Sequence, residues 1–419
     1  GDATHLWSDF FLADGAVINF DDGDVTLTHA ANALTVGGGT FKVSDSIFSA
    51  AAANSAGSAT DSAYCLAVGK NTGDKSIIAA GDIQAAKYNG IPFFTDTARN
   101  SMYTHDVSGT ATSADGNTAY GFGALDAITG GDLNTVVGYL AGSAINSGSN
   151  NVLMGYASGD ALTTGSDNVA IGYAALSVEN TGNRNVAIGK GALNALDFDG
   201  NGYNTAVGYA AGENITTGTE NTLIGGLAGD ALDTGNNNTA LGYNALGQET
   251  KGDRNVAVGA NALVTQNNTS NVDSYNTAIG YDAGTAMTTG IQNTLIGGLA
   301  GDALTIGNNN IAIGYLALST SVDGDSNTAI GYKALEDYED GDGNGHNTAV
   351  GASSQLNATT GEFNTSLGSL SMGTGVVTGD ANVMIGYVAG AAVTSGSENV
   401  GIGINALNDI TSGTRNVAI

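Results

Sequence analysis

One short motif returns eighteen times from residue 117 onward: Asn, usually Thr or Val, usually Ala, an aliphatic residue, Gly, and often Tyr. It starts at Asn117, Asn134, Asn151, Asn168, Asn185, Asn204, Asn221, Asn238, Asn255, Asn276, Asn293, Asn310, Asn327, Asn347, Asn364, Asn382, Asn399 and Asn416. The interval is 17 residues in most cases and 18–21 in four. A fixed short period is the signature of a solenoid, in which each repeat buries its core only by stacking on its neighbours.

Period-two alternation within the motif predicts a strand rather than a helix. Seventeen residues with a fixed glycine are too few for a strand plus a full helix, and suit two short strands and two turns. The expected fold is therefore all-β: a parallel β-solenoid or β-roll of about 17 coils, preceded by a small β module. Coils spaced at about 4.8 Å make a rod of roughly 80 Å. Asn at position one is expected to stack into an amide ladder, and Gly at position five to take a positive φ or allow a close backbone approach. Position four is apolar throughout, with Tyr120 and Met154 as its odd members. It is expected to face the core together with position two. Small Ala at position three then lies outside, suited to close approach of a neighbouring chain, so lateral association, threefold, is expected. Position six is Tyr in nine coils, among them Tyr139, Tyr209 and Tyr281. That stripe reads as packing along a solenoid face, with sugar stacking as the functional alternative.

A longer rhythm lies over the short one. After the tyrosine position the coils read Ala-Leu, Ala-Gly, Ala-Gly, Ala-Leu, as at Ala124-Leu125, Ala141-Gly142, Ser158-Gly159 and Ala175-Leu176, where Ser158 replaces one Ala. Residues 221–246 and 293–318 are near copies 72 residues apart, and the long coils at Asn185, Asn255 and Asn327 fall every fourth coil. Duplication of a four-coil unit accounts for the rhythm.

The motif Asn-Val-Ala-Ile-Gly at 168–172 and 185–189 resembles the head repeats of trimeric autotransporter adhesins. That resemblance implies a left-handed parallel β-roll with three chains side by side, although the coil here is longer than the adhesin coil. The variant Asn-Thr-Ala-Ile-Gly-Tyr at 276–281 and 327–332 is similar to repeats of phage tail-fibre proteins. The stretch 6–36, with Ala-Val-Ile-Asn-Phe at 16–20 and Val-Thr-Leu-Thr-His at 25–29, also resembles a segment common in phage tail-fibre and other virion proteins. Such motifs specify a fold and no ligand.

The chain divides into an N-terminal β module at 1–48, a linker and irregular capping region at 49–116, and the solenoid at 117–419. Residues 64–69 read as a worn coil. Ile91-Pro92-Phe93-Phe94, holding the single proline, reads as a plug for the end of the rod. The chain begins at Gly1 rather than Met and stops at Ile419 inside a repeat, so a longer natural chain is expected.

The 40 acidic and 11 basic side chains give a formal net charge of −29. Such a surface repels phosphate backbones and anionic membranes, so neither nucleic acid nor membrane insertion is expected. The single Cys65 forms no intrachain disulfide. No Walker loop, nucleophile elbow or zinc-type His pair is present, and His5, His29, His105 and His346 are far apart in sequence. The chain reads as no enzyme. A polysaccharide depolymerase is the remote alternative, because uniform coils offer no cleft for paired acids. Ice binding is set aside because the position-two Thr is expected inside.

One local signal points to a ligand. Asp197-Phe198-Asp199-Gly200-Asn201-Gly202 and Asp340-Gly341-Asp342-Gly343-Asn344-Gly345 both read D-x-D-x-N-G, each in a stretched coil. This matches the first half of an EF-hand loop, so Asp197, Asp199, Asn201, Asp340, Asp342 and Asn344 are candidate ligands for weakly bound calcium. The expected acid at position twelve is replaced by Gly208 and Gly351, and a solvated Asp/Asn/Gly turn is the competing reading. Calcium is the sole cofactor considered. The expected function is a structural shaft of a phage tail fibre or other virion appendage. Its partners would be identical chains in a homotrimer, other fibre or virion proteins, and a host glycan or protein bound through a region outside this chain. The alternative is a trimeric adhesin on a bacterial surface.

Overall fold

One three-residue strand per coil builds the largest sheet of the protein. The computed structural model describes residues 113–339 and 345–419, together with the strands Val17–Phe20, Val25–Ala30, Ala33–Gly37, Lys87–Tyr88, Ile91–Pro92, Phe94–Asp96 and Ser101–Tyr103. The described residues contain no helix. The chain separates into two compact units, 1–82 and 83–419. In the first unit, Val17–Phe20, Val25–Ala30 and Ala33–Gly37 form a three-stranded antiparallel sheet, the β module expected there. The worn coil expected at 64–69 lies outside the described residues.

The second unit is a parallel β-solenoid of about 17 coils between residues 118 and 418. Positions two to four of each coil form the strand, from Thr118–Tyr120 to Val417–Ala418. Each strand pairs in register with the same positions of the next coil: Val169 faces Val186, Ala170 faces Ala187 and Ile171 faces Ile188. At the N-terminal end Ser101–Tyr103 adds in parallel to Thr118–Tyr120, and Phe94–Asp96 closes on it as an antiparallel hairpin. Ile91–Pro92 pairs with Lys87–Tyr88. Ile91, Pro92 and Phe94 therefore lie in two short hairpins before the first coil.

The second strand expected in each coil is replaced by a chain of turns, except where Gly252–Asp253 pairs in parallel with Val272–Asp273. Positions seven, nine and seventeen hold left-handed backbone in coil after coil, as at Leu140 (φ 55°), Leu176 (φ 54°) and Asp167 (φ 59°). Residues of opposite hand in such close alternation cannot form an extended strand. Hydrogen bonds to adjacent coils hold them instead: Leu140 N–H donates to Phe122 O at 3.0 Å, and Leu176 N–H to Ala192 O at 3.0 Å. Glycine is demanded at position fifteen, where a Cβ on Gly148 would stand 2.2 Å from Gly165 O, and above all at position five. Its φ lies near +140°, and a Cβ built on Gly280 would stand 2.3 Å from the carbonyl oxygen of Gly297.

The core reverses the expected facing of the strand. Position three points inward and is fully buried, as at Ala119, Ala170, Leu223 and Ala312. Positions two and four point outward and are half-buried or exposed, as at Thr222, Ile224 and Leu241. The Ala rows therefore line the interior and cannot serve as a contact between chains. The physical reason is volume, because position nine crosses the same narrow interior. Where position three is Ala, position nine is commonly Leu, as in Ala170/Leu176 and Ala240/Leu246, all buried. Where position three is large, position nine is Gly, as in Leu153/Gly159, Leu223/Gly229, Leu295/Gly301 and Met384/Gly390. A Cβ on Gly229 would meet Leu223 Cδ2 at 2.8 Å, and one on Gly390 would meet Met384 Sδ at 2.7 Å. Coils with both small, Ala206/Gly212 and Ala278/Gly284, are filled from above and below. A Cβ on Gly212 would strike Leu223 at 2.8 Å and Leu193 at 3.0 Å. Close packing at fixed cross-section thus explains the Ala-Leu/Ala-Gly rhythm.

The asparagine ladder forms as expected, and it is an interior feature. Each position-one side chain from Asn117 to Asn399 is buried. Its Oδ1 accepts the backbone N–H of the next Asn, as from Asn134 at 2.8 Å and Asn238 at 2.9 Å. In most coils its Nδ2 donates to the position-fifteen Gly carbonyl, as Asn221 does to Gly235 at 2.9 Å. Stretched coils lose that acceptor: Asn185 Nδ2 turns to Asn183 O at 3.2 Å.

Candidate interaction face

Three rows of side chains run lengthwise on the outward side of the strand. Position two alternates Thr with Val, position four is aliphatic, and position six carries the tyrosines just past the position-five bend. Exposed members include Ile224, Leu241, Ile279, Ile311, Leu367 and Ile402, with Tyr156, Tyr173, Tyr209, Tyr243, Tyr281 and Tyr315 beside them. The tyrosine row is therefore a surface feature of the single chain. Its lower part is a continuous stack: Phe122, Tyr139, Tyr156 and Tyr173 lie 5.8, 5.5 and 5.1 Å apart between centroids, with interplanar angles of 7–17°. Lys190 takes the next place, its Nζ 5.7 Å from the ring centroids of both Tyr173 and Tyr209. Higher up, Tyr315 and Tyr332 stack at 6.1 Å. Rows of outward apolar side chains this long make this face the candidate contact surface.

The outward Thr row removes the ground on which ice binding was set aside. Val152, Val169, Val186, Val256 and Ile311 interrupt that row, and the aromatic row stands beside it, so it forms no unbroken hydroxyl plane.

Two of the four stretched coils are held by buried glutamates that sequence reasoning missed. Position twelve is usually Leu or Ile, as at Leu162 and Ile215, but is Glu179 and Glu249 in the coils directly preceding the insertions at 185 and 255. Glu249 Oε1 accepts the N–H groups of Thr250, Lys251, Gly252 and Asn268 at 2.8–3.0 Å, and its Oε2 accepts Asn268 Nδ2 at 2.9 Å. Glu179 accepts the N–H of Gly182 at 2.7 Å and of Phe198 at 3.3 Å. Burial raises the Glu179 carboxyl above its ordinary range, and the backbone N–H of Gly182 opposes the shift. The legible signal was a Glu in a Leu/Ile row, directly before a long coil.

Of the candidate calcium ligands, Asp197, Asp199 and Asn201 are exposed on the loop that Glu179 anchors, while Phe198 between them packs on the core. Asp199 Oδ1 accepts the Thr181 hydroxyl at 2.9 Å, and Asn201 sits in a parallel bridge to Asn183. Asp340, Asp342 and Asn344 lie outside the described residues. Among the described residues no group of three or more His, Cys, Asp or Glu side chains is placed to hold a metal ion.

A second acidic feature recurs at position ten. Asp160, Asp230 and Asp302 occupy equivalent places in successive four-coil units, and each has an Oδ1 that is buried without a hydrogen-bond partner. Burial raises all three carboxyls, and neighbouring Glu213 adds to the shift at Asp230.

No protein-family model and no curated protein matches the chain.

Proposed function

We propose that this chain is the shaft of a fibre: a structural subunit of a phage tail fibre or other virion appendage that holds a host-attachment tip away from the particle. The observation that carries this reading is the lengthwise apolar face on an uninterrupted parallel stack. Three such faces turned inward around a common axis bury the aliphatic row, which leaves the Ala rows inside each chain. The threefold number rests on the resemblance to the adhesin heads and tail-fibre repeats. A bacterial trimeric adhesin is the second reading, favoured by the Asn-Val-Ala-Ile-Gly coils at 168–172 and 185–189. In both readings the repeated surface serves as a spacer, and recognition of a host glycan or protein belongs to a region outside this chain. Calcium stays a candidate at 197–201 and 340–344, decided by melting curves with calcium and with chelator at equal ionic strength.

Sedimentation with light scattering on the full chain tests the shaft reading. An elongated particle of three chains is expected. Ile224→Lys together with Ile279→Lys on the outward row should dissociate it without loss of β signal, since neither side chain is in the core. A wild-type monomer at micromolar concentration contradicts the reading.

A further inference from the structure

The upper tyrosine row is broken in a regular way. At position six, successive coils from 204 to 326 read Tyr209, Gly226, Tyr243, Ala260, Tyr281, Gly298, Tyr315. Every second coil has no side chain larger than a methyl there, which leaves three slots, each walled by two tyrosines. The walls are two coils apart, roughly 10 Å, so each slot has room for one flat ring or one slender chain between the ring faces. Three of the four rings that flank slots are more exposed than those in the stack: Tyr209, Tyr243 and Tyr281 are 58%, 60% and 61% accessible, against 47%, 49% and 54% for Tyr139, Tyr156 and Tyr173, while Tyr315, which also stacks on Tyr332, is at 50%.

The molecule itself shows what fills such a slot. One step below, the equivalent place between Tyr173 and Tyr209 holds the Lys190 ammonium, equidistant from both rings at 5.7 Å. Elsewhere in the solenoid three further cations, Arg184, Arg254 and Lys333, lie beside a single tyrosine while ion-paired with Asp167, Asp273 and Glu336 respectively. Arg184 lies over Tyr203, Arg254 over Tyr275 and Lys333 over Tyr332, at 5.6–5.8 Å. Only Lys251 and Arg415, of the six Lys and Arg between 113 and 419, are not placed over a tyrosine. The ring face carries negative potential, so an ammonium between two rings is attracted to both. Asp282, next to Tyr281, adds an acidic side chain beside the upper slots, and the chain as a whole is strongly acidic.

We propose that the slots at Gly226, Ala260 and Gly298 bind the lysine side chains of an extended basic segment of a partner protein, one ammonium per slot. The tyrosines stand past the position-five bend, beside the aliphatic row that a threefold assembly buries, so the slots stay open to a partner other than a copy of this chain. The slot spacing of about 10 Å matches a polyproline-type segment carrying Lys at every third residue, which repeats at about 9.3 Å. Three weak contacts on one rigid ladder then act together, since binding at one slot holds the next lysine at high local concentration.

The test is calorimetric titration of the full chain with a Lys-x-x-Lys-x-x-Lys peptide at physiological salt, followed also by tyrosine fluorescence. Saturable binding is expected, weakened at least tenfold by lysine acetylation and by Tyr243→Leu, which removes one wall from two slots without changing charge. Gly226→Lys with Gly298→Lys, which fills two slots from within, should abolish binding, while circular dichroism confirms the fold. Lys190→Gly opens a fourth slot and should tighten binding of a peptide extended by one Lys-x-x unit. Equal affinity for wild type and Tyr243→Leu would reduce the effect to bulk charge and overturn the proposal. So would no binding of the peptide, or binding of a neutral oligosaccharide that the Lys-filled variant loses.

Discussion

Replacing Asn221 by Ala isolates the contribution of the buried amide ladder. In the native chain Asn221 Nδ2 donates to Gly235 O at 2.9 Å and to Asn204 Oδ1 at 3.1 Å, and its Oδ1 accepts the N–H of Asn238 at 2.9 Å. The Ala variant leaves the Asn238 N–H buried and unpaired, at about 1–3 kcal/mol, and strips Gly235 O of the Asn221 donor for about 1 kcal/mol more. With the small void added, a loss of about 2–5 kcal/mol follows. Asn221→Asp is the sharper variant because its shape is unchanged. The carboxylate still accepts from Asn238 but faces two oxygens without a proton, so burial and repulsion raise its pKa above the unfolded value of about 3.9. The sign follows: below about pH 3.9 the protonated acid can donate to Gly235 O and costs little. The penalty then grows as pH rises, until the folded-state pKa is passed. Stacked coils open locally, so exchange of the Asn238 amide reads the effect more directly than a global melt, with Asn134 as the distant reference. Unchanged protection at Asn238 in the Ala variant, or a loss under about 1 kcal/mol in urea, would refute the reading of the ladder as a structural spine.

Exchange of core volume within one coil is testable by a double-mutant cycle. Leu223→Ala should cost about 2–5 kcal/mol and Gly229→Leu about 1–3 kcal/mol, while the pair rebuilds the Ala240/Leu246 arrangement and recovers at least half the sum; strict additivity counts against it. Asp160, Asp230 and Asp302 have raised folded-state pKa values, so their cost is absent below the unfolded pKa of about 3.9 and grows as pH rises through the folded values. Melting temperature should accordingly fall less between pH 4.5 and 7 in a triple Asp→Asn variant than in the wild type, and parallel curves would contradict this. Gly280→Val drives a Cβ to 2.3 Å from Gly297 O at a φ of +146° and should cost more than about 3 kcal/mol in urea unfolding. Substitutions at Thr269, Ser270 and Asn271, exposed at the loop tip, should fall within about 0.5 kcal/mol.

That tolerance does not extend over the whole loop 265–274. Asn268 and Ser274 are buried around Glu249, and the Thr265 hydroxyl bonds Thr285 O at 2.6 Å. The period, the strand at positions two to four, the stacked Asn and the obligatory Gly were all legible, because each follows from backbone geometry repeated at a fixed interval. The facing of the strand was not. An aliphatic row next to an Ala row looks inward by hydrophobicity alone, and only the inverse sizes at Leu223/Gly229 and Ala240/Leu246 reveal that position three shares the interior with position nine. Glu179 and Glu249 were hidden for a related reason: acids are read as solvent-facing unless the insertion they satisfy is considered with them. The gaps in the tyrosine row were visible as letters, but their meaning depends on Lys190 lying between two rings.

The size exchange between positions three and nine makes the single coil a poor unit of inheritance. Losing the Ala206/Gly212 coil alone would set Leu193 against Leu223, and losing the Leu223/Gly229 coil alone would leave Ala206/Gly212 without the side chain that fills it from above. Losing residues 204–275 removes four coils together, takes Glu249 away with the insertion it anchors, and brings the Ala187/Leu193 layer against Ala278/Gly284, which restores the original order of layers. Genes for such a rod can therefore lengthen or shorten by slippage in whole quartets while every seam stays native, and reach becomes a quantity adjustable in steps of about 19 Å.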